Sequence, residues 1–257
     1  MARRLGARKR PDREVHMIKE QLKIEEGIFD RKTMMALWKM FNHQMITQMD
    51  YMIKGGKEAD VYLADGGPNA HSQYVALKIF RVETSDFNKR MMYISGDPRF
   101  EKIKGDILSI VKTWCKKEYG NLMIAELADV HAPKPYYFKD NVLAMEFIGD
   151  GSVAAPTLRK YELKEPARAL DTILSDMEKL YAMELVHADI SEYNILVKDE
   201  VPYLIDFGQA VSSKHPKADQ FLERDITNLL YYFAKKYGIE RNNDEVFAKI
   251  KGTKSAF

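Results

Sequence analysis

Hydrophobic positions along the chain change rhythm several times, and each change marks a switch of element type. From about Asp12 to Met52 the chain is rich in Lys, Glu, Gln, Leu and Met and poor in Gly and Pro, a composition that favours helix. Within it Phe29, Met34, Leu37, Trp38, Phe41 and Met45 recur near helical spacing and read as a face packed against a lobe. From Tyr51 to Phe80 the pattern turns to strand. A glycine turn leads into Ala59-Asp60-Val61-Tyr62-Leu63-Ala64, and a polar turn through Gly66-Gly67-Pro68-Asn69 leads into Tyr74-Val75-Ala76-Leu77-Lys78-Ile79-Phe80. Two such runs around turn residues predict a strand pair.

Residues 81–100 are polar and irregular around Gly96-Asp97-Pro98, which predicts a flexible loop. Ile103, Ile107, Ile110, Val111, Trp114, Tyr119 and Leu122 then follow at helical intervals and predict a long helix. The stretch from Val130 to Ile148 holds Pro133, Pro135 and an apolar run from Val142, and reads as further strand ending at Gly149-Asp150-Gly151. Beyond it Leu170, Ile173, Leu174, Met177, Leu180 and Tyr181 form the stripe of an amphipathic helix. Two short strands flank residues 187–206, and a last helical section starts near Lys217. The order predicts an α+β chain of two lobes: a basic tail and helical extension over 1–50, a sheet-rich lobe over 51–148, and a reduced helical lobe over 149–257. A cleft between lobes is where ligands commonly bind.

Composition narrows the classes. The chain has 257 residues, 46% of them hydrophobic, enough for a sizeable core. With 30% charged residues and no apolar run of about 18 residues, no membrane partner is expected. A single cysteine, Cys115, excludes an internal disulfide and a paired-thiolate zinc site, which points to a reducing compartment and the cytoplasm. The net charge of +2 hides a local cluster, Arg3, Arg4, Arg8, Lys9 and Arg10. That cluster suits a solvated tail, the commoner fate of chain ends, or contact with RNA phosphates.

The chemistry concentrates in His187-Ala188-Asp189-Ile190-Ser191-Glu192-Tyr193-Asn194, followed by Leu204-Ile205-Asp206-Phe207-Gly208. The interval from Asp189 to Asn194 is that of the kinase catalytic loop H-R-D-L-x-x-x-N, with Ala188 for Arg and Ile190 for Leu, and D-F-G follows in order. A magnesium-bound triphosphate needs oxygen ligands for the metal, and a hydroxyl acceptor needs a carboxylate to orient it. Asn194 and Asp206 are therefore the candidate metal ligands, and Asp189 the base or positioning group. His187 reads as a structural support of the loop, and Asp225 as an anchor for it from a helix. Tyr231, Tyr232 and Phe233 read as core.

Lys78, in Val75-Ala76-Leu77-Lys78, stands where the third strand of a kinase carries its phosphate-binding lysine. Its expected partner is a glutamate of the next helix; Glu118 is the choice, with Glu101 and Glu126 as rivals. Lys54-Gly55-Gly56-Lys57-Glu58-Ala59-Asp60-Val61 is the segment expected to cover the nucleotide. It keeps one glycine, Gly56, of the three in G-x-G-x-x-G-x-V.

Five segments together resemble the RIO family of atypical serine/threonine kinases: Gly56-Lys57-Glu58-Ala59-Asp60-Val61, Ser95-Gly96-Asp97-Pro98-Arg99-Phe100, Met145-Glu146-Phe147-Ile148, His187-Ala188-Asp189 and Glu223-Arg224-Asp225. The resemblance covers roughly residues 51–237 and is nearer the branch with a helical N-terminal extension than the branch with a winged helix. It implies a two-lobed protein-kinase-like fold and use of ATP with Mg, or Mn. It also implies that Gly56, Lys57, Glu58 and Val61 lie over the nucleotide, that Met145 backs the adenine pocket, and that backbone groups of Glu146 and Ile148 bind the base. No A-P-E follows Gly208, and 49 residues remain beyond it, so a peptide-docking platform is not expected. Some family members act chiefly as ATPases through the metal-binding aspartate, here Asp206, on maturing small ribosomal subunits or their RNA. Two other readings fit parts of the pattern: a small-molecule kinase of the aminoglycoside or choline type, and a non-catalytic ribosome-assembly module switched by nucleotide.

Overall fold

The computed structural model describes residues 29–82, 87–100 and 106–253; for 87–89 only the backbone is described. Helix α1, Arg31–Asn42, starts at Asp30, whose carboxylate caps the amides of Lys32 and Thr33. It ends well short of Met52. Strand β1, Ile46–Lys54, follows where helix is predicted. The reason is tertiary: Met-rich ITQMDYMIK has little pattern of its own, and antiparallel pairing with β2 (Ala59–Gly66) settles its state.

With β3 (Tyr74–Phe80), β4 (Pro135–Lys139) and β5 (Val142–Glu146) these strands form one sheet in the order β1-β2-β3-β5-β4. Alternation along β3 explains its run of buried residues, since both faces of the sheet are covered. Val75, Leu77 and Ile79 pack with Met34, Leu37 and Met40 of α1. Lys78 and Phe80 face the other way. That face is closed by α3, Ile107–Leu127, the predicted long helix, which buries Ile110, Val111, Trp114, Cys115 and Leu122 and leaves Ile107 exposed.

The stretch expected as a flexible loop holds helix α2, Phe87–Ile94, and a 3-10 turn at Pro98–Phe100. A buried arginine anchors α2. Arg90 donates to the Glu58 carbonyl at 3.2 Å and lies over the Trp114 ring at 5.6 Å, contacts invisible in a polar sequence.

The second lobe is built on α4 (Pro166–Ala182), α5 (Ala218–Tyr237) and α6 (Asn243–Lys251). The stripe predicted for α4 is buried from Leu170 to Leu180. Helix α5 stops at Gly238, whose φ of +66° suits a left-handed C-terminal cap. Tyr232 and Phe233 are buried, but Tyr231 is exposed: adjacent positions on a helix point 100° apart, so three successive aromatics cannot share one face. The predicted short strands number four, β8 (Leu185–Val186), β9 (Ile195–Lys198), β10 (Val201–Leu204) and β11 (Val211–Ser212), paired β8 with β11 and β9 with β10. Between the lobes, β6 (Gly149–Asp150) and β7 (Val153–Ala154) form a small hairpin, and the Tyr51 hydroxyl of β1 donates to its Ser152 carbonyl.

The basic cluster Arg3–Arg10, the helix expected over residues 12–28, the rival Glu101 and Ile103 of the predicted helical stripe lie outside the described residues. Among the described residues no helix is long and apolar enough to cross a membrane.

Candidate active site

Strand register places Val61 beside Lys78, and Lys78 beside Leu143, so the lysine points from the sheet toward α3. Its ammonium donates to Glu118 Oε1 at 2.7 Å and to Asp206 Oδ1 at 2.8 Å. Glu118 is buried on α3; Glu126 is exposed further along the same helix. Burial alone would lower the Lys78 ammonium, but Asp206 and Glu118 outweigh it and hold the group above its ordinary range. Burial pushes the Glu118 carboxyl up. Enclosure would also raise Asp206, yet Lys78 prevails and keeps that carboxyl below its usual range, ionised at neutral pH. The Asp206 side chain is 43% exposed in the cleft, so a ligand can reach it.

The loop from His187 to Asn194 brings Asp189 and Asn194 together. Asn194 Nδ2 donates to Asp189 Oδ2 at 2.9 Å and to the Asp189 carbonyl at 3.0 Å. Gln209 Nε2 reaches the same carboxylate oxygen at 3.0 Å. Gln209 has no place among the sequence-predicted residues; its only signal is its position just past D-F-G. His187 is buried and neutral, lowered to about 4 by burial, with one ring nitrogen against the Ile205 carbonyl at 3.2 Å and the ring edge-on to Phe207. Ala188 and Asp206 both have positive φ, +63° and +67°, conformations non-glycine residues keep only where surroundings hold them.

Gly56 sits in a tight turn at the end of β1. A Cβ there would meet the Ala59 carbonyl at 2.7 Å, and the Gly56 amide donates to Asp60 Oδ1 at 3.2 Å. Arg81 grips the same carboxylate through two bonds of 2.8 Å. A shallow, open depression lies here, lined by Gly55, Gly56, Lys57 and Arg81. Glu58 lies at the same turn, its carbonyl accepting from Arg81 N and Arg90. At the other end of the cleft, Met145 pairs with Ala76. The Glu146 amide donates to the Lys134 carbonyl, and the Ile148 carbonyl accepts from Ala155.

Among the described residues no group of three or more His, Cys, Asp or Glu side chains gathers as a metal cage. What the cleft offers is the Asp206 carboxylate and the Asn194 amide oxygen, left over once Nδ2 has turned to Asp189. Such hard oxygens suit Mg²⁺, which takes one or two side-chain ligands and completes its shell with phosphate and water.

A five-stranded lobe carrying a lysine–glutamate pair, set against a helical lobe carrying D-x-x-x-x-N and D-F-G, defines a protein-kinase-like phosphotransferase. The RIO domain model matches residues 60–246. The chain is 37% identical to the RIO-type serine/threonine-protein kinase Rio1 of Haloferax volcanii over 233 residues, 91% of this chain and 79% of the relative. It is 46% identical to the Rio1 kinase of Thermoplasma acidophilum over 179 residues, 70% of this chain and 94% of the relative. The chain therefore belongs to the RIO family and is a serine/threonine-protein kinase of that type. Its fold is that of the Rio2 kinase of Chaetomium thermophilum, solved as an ADP/Mg²⁺–phosphoaspartate complex, at TM-score 0.67 and 18% identity over 94% of this chain and 76% of that one.

Proposed function

We propose that this kinase uses ATP with magnesium, manganese serving as a substitute, and that it also hydrolyses ATP through Asp206 during small ribosomal subunit maturation in the cytoplasm. The observation that carries the reading is the Lys78 ammonium held between Glu118 and Asp206 at 2.7 and 2.8 Å, one buried cation joining the two lobes. Glu118 fixes the lysine, which neutralises the α- and β-phosphates. The turn at Gly56, Lys57 and Glu58, with Val61 beyond it, lies over the nucleotide. Backbone groups of Glu146 and Ile148 meet the adenine, with Met145 behind it.

Asp206 and Asn194 would hold magnesium, which would neutralise charge on the transferred phosphoryl group. Asp189, aimed by Asn194 and Gln209, orients the acceptor hydroxyl and takes its proton as the new P–O bond forms and the bond to ADP breaks. In the hydrolytic route the Asp206 carboxylate is itself the first acceptor. ADP leaves, then water attacks phosphorus and phosphate departs with Asp206 restored. The phosphoaspartate named for the Rio2 kinase of Chaetomium thermophilum supports this route. The ribosomal setting rests on the family resemblance of the sequence.

The deciding experiment is to trap the protein with γ-labelled ATP and test the bound label. An acyl phosphate on Asp206 is lost in alkali and to hydroxylamine, whereas a serine ester survives hydroxylamine. No label, and no turnover above that of Asp206→Asn, would remove the proposal. Turnover stimulated by small hydroxylated metabolites and not by small-subunit particles would favour a small-molecule kinase instead.

A further inference from the structure

One buried cation takes no part in the chemistry above. Lys117 precedes Glu118 on α3, is fully buried, and donates to two main-chain carbonyls, those of Gly208 at 2.9 Å and Ala210. Asn121, one turn further along α3, donates to the Phe207 carbonyl at 2.8 Å and to Ala210 at 3.0 Å. Arg99 donates to Asn121 Oδ1 at 2.8 Å and is gripped by Asp97 through bonds of 2.9 and 2.7 Å. Asp97 in turn accepts the Ser212 amide at 3.4 Å. The Ser95–Arg99 motif and α3 thus clasp the stretch that follows Asp206.

That stretch needs clasping. Asp206 holds φ at +67°, which persists only where neighbours fix the chain on both sides. Upstream, the Ile205 amide donates to the Asn194 carbonyl at 3.0 Å and the Ile205 carbonyl meets His187 at 3.2 Å. Downstream, residues 207–210 have one short-range turn bond, Ala210 N to Phe207 O at 3.2 Å; their other carbonyl partners are the α3 side chains. Carbonyls buried in this way must be matched by donors.

We infer that Lys117 is a positioning residue of the phosphoryl-transfer site: by tethering residues 207–210 it keeps Asp206 in the backbone conformation that aims its carboxylate into the cleft. The inference rests on Asp206 being the magnesium ligand of the proposed function. Burial, reinforced by Arg99, lowers the Lys117 ammonium to about 7. Its amine has N–H donors in either protonation state, so the tether does not require the charge.

The test is nucleotide affinity of the full chain for a non-hydrolysable ATP analogue, measured in magnesium and again in excess EDTA, with thermal unfolding as the check on folding. Lys117→Met keeps the length of the stem and removes the donors. It is expected to bind the analogue in EDTA as the wild type does, and to lose about tenfold or more of the gain that magnesium brings. Asn121→Ala, which removes the two companion bonds and the one accepted from Arg99 but leaves Lys117 in place, is expected to lose a smaller part, and decides the matter should Lys117→Met fail to fold. A folded variant set that keeps the full magnesium-linked gain overturns the inference alone. A wild type with no such gain overturns the magnesium reading, and the inference with it.

Discussion

Asp225 Oδ1 of α5 accepts the Ile190 amide at 3.0 Å, so a helix deep in the second lobe holds the residue next to Asp189. The carboxyl is fully buried, and burial raises it to about 8, against the opposing pull of the Ile190 bond and Arg224. A raised carboxyl binds its proton more tightly folded than unfolded, so its contribution to stability is complete below pH 4 and is lost as pH rises toward 8. Asp225→Asn keeps an acceptor and cannot ionise. The melting temperature of the variant relative to wild type should therefore climb by several degrees between pH 5 and pH 8.5 (an estimate on the order of 5 °C). A constant difference across that range would mean the carboxyl titrates normally.

Removing charge from the cation–carboxylate bridge should abolish chemistry while leaving the fold. Lys78→Met and Asp206→Asn are each expected to lower kcat/KM for ATP by a factor on the order of hundreds or more, because charge neutralisation dominates phosphoryl transfer. Steady-state turnover and the labelled-ATP trap both report it.

Gln209 shares Asp189 Oδ2 with Asn194. Gln209→Ala should lower kcat about tenfold with the KM for ATP nearly unchanged, since the contact orients the acceptor side rather than the nucleotide. A change in KM alone would place Gln209 in nucleotide binding.

Asp60 ties the Gly56 turn to Arg81. Asp60→Ala should raise the KM for ATP roughly threefold to tenfold and leave kcat less affected, a loss of preorganisation in binding. Titration of nucleotide binding by fluorescence measures this directly.

A side chain at Gly208 has no room. Its Cβ would meet Trp114 Nε1 at 2.8 Å and Glu118 Oε2 at 3.3 Å. Gly208→Ala should cost about 1–3 kcal/mol of stability by overpacking, read from denaturant unfolding.

The sequence made the cleft legible because its chemistry is local: Asp189 and Asn194 share one loop, D-F-G lies a hairpin further on, and Lys78 sits in a strand with a strong apolar rhythm. Glu118 was accessible as a glutamate of the helix after Lys78, where the kinase pattern calls for one, but its preference over Glu126 rests on burial that only the fold shows. What stayed hidden depends on partners distant in the chain. Strand β1 has a weak rhythm and is decided by β2, and α2 is polar but anchored by Arg90. Lys117 and Asn121 look like the wet side of a helix; only the arrival of residues 207–210 makes that side dry. A buried cation whose acceptors are main-chain carbonyls leaves no mark on a hydropathy pattern.

Residues 207–217 are all that separate Asp206 from the start of α5, and a good part of them is sewn to the first lobe. A stretch so brief and so tied leaves no slack for a long loop to swing across the cleft. Any shift of α3 is therefore felt at Asp206 within a few residues of chain.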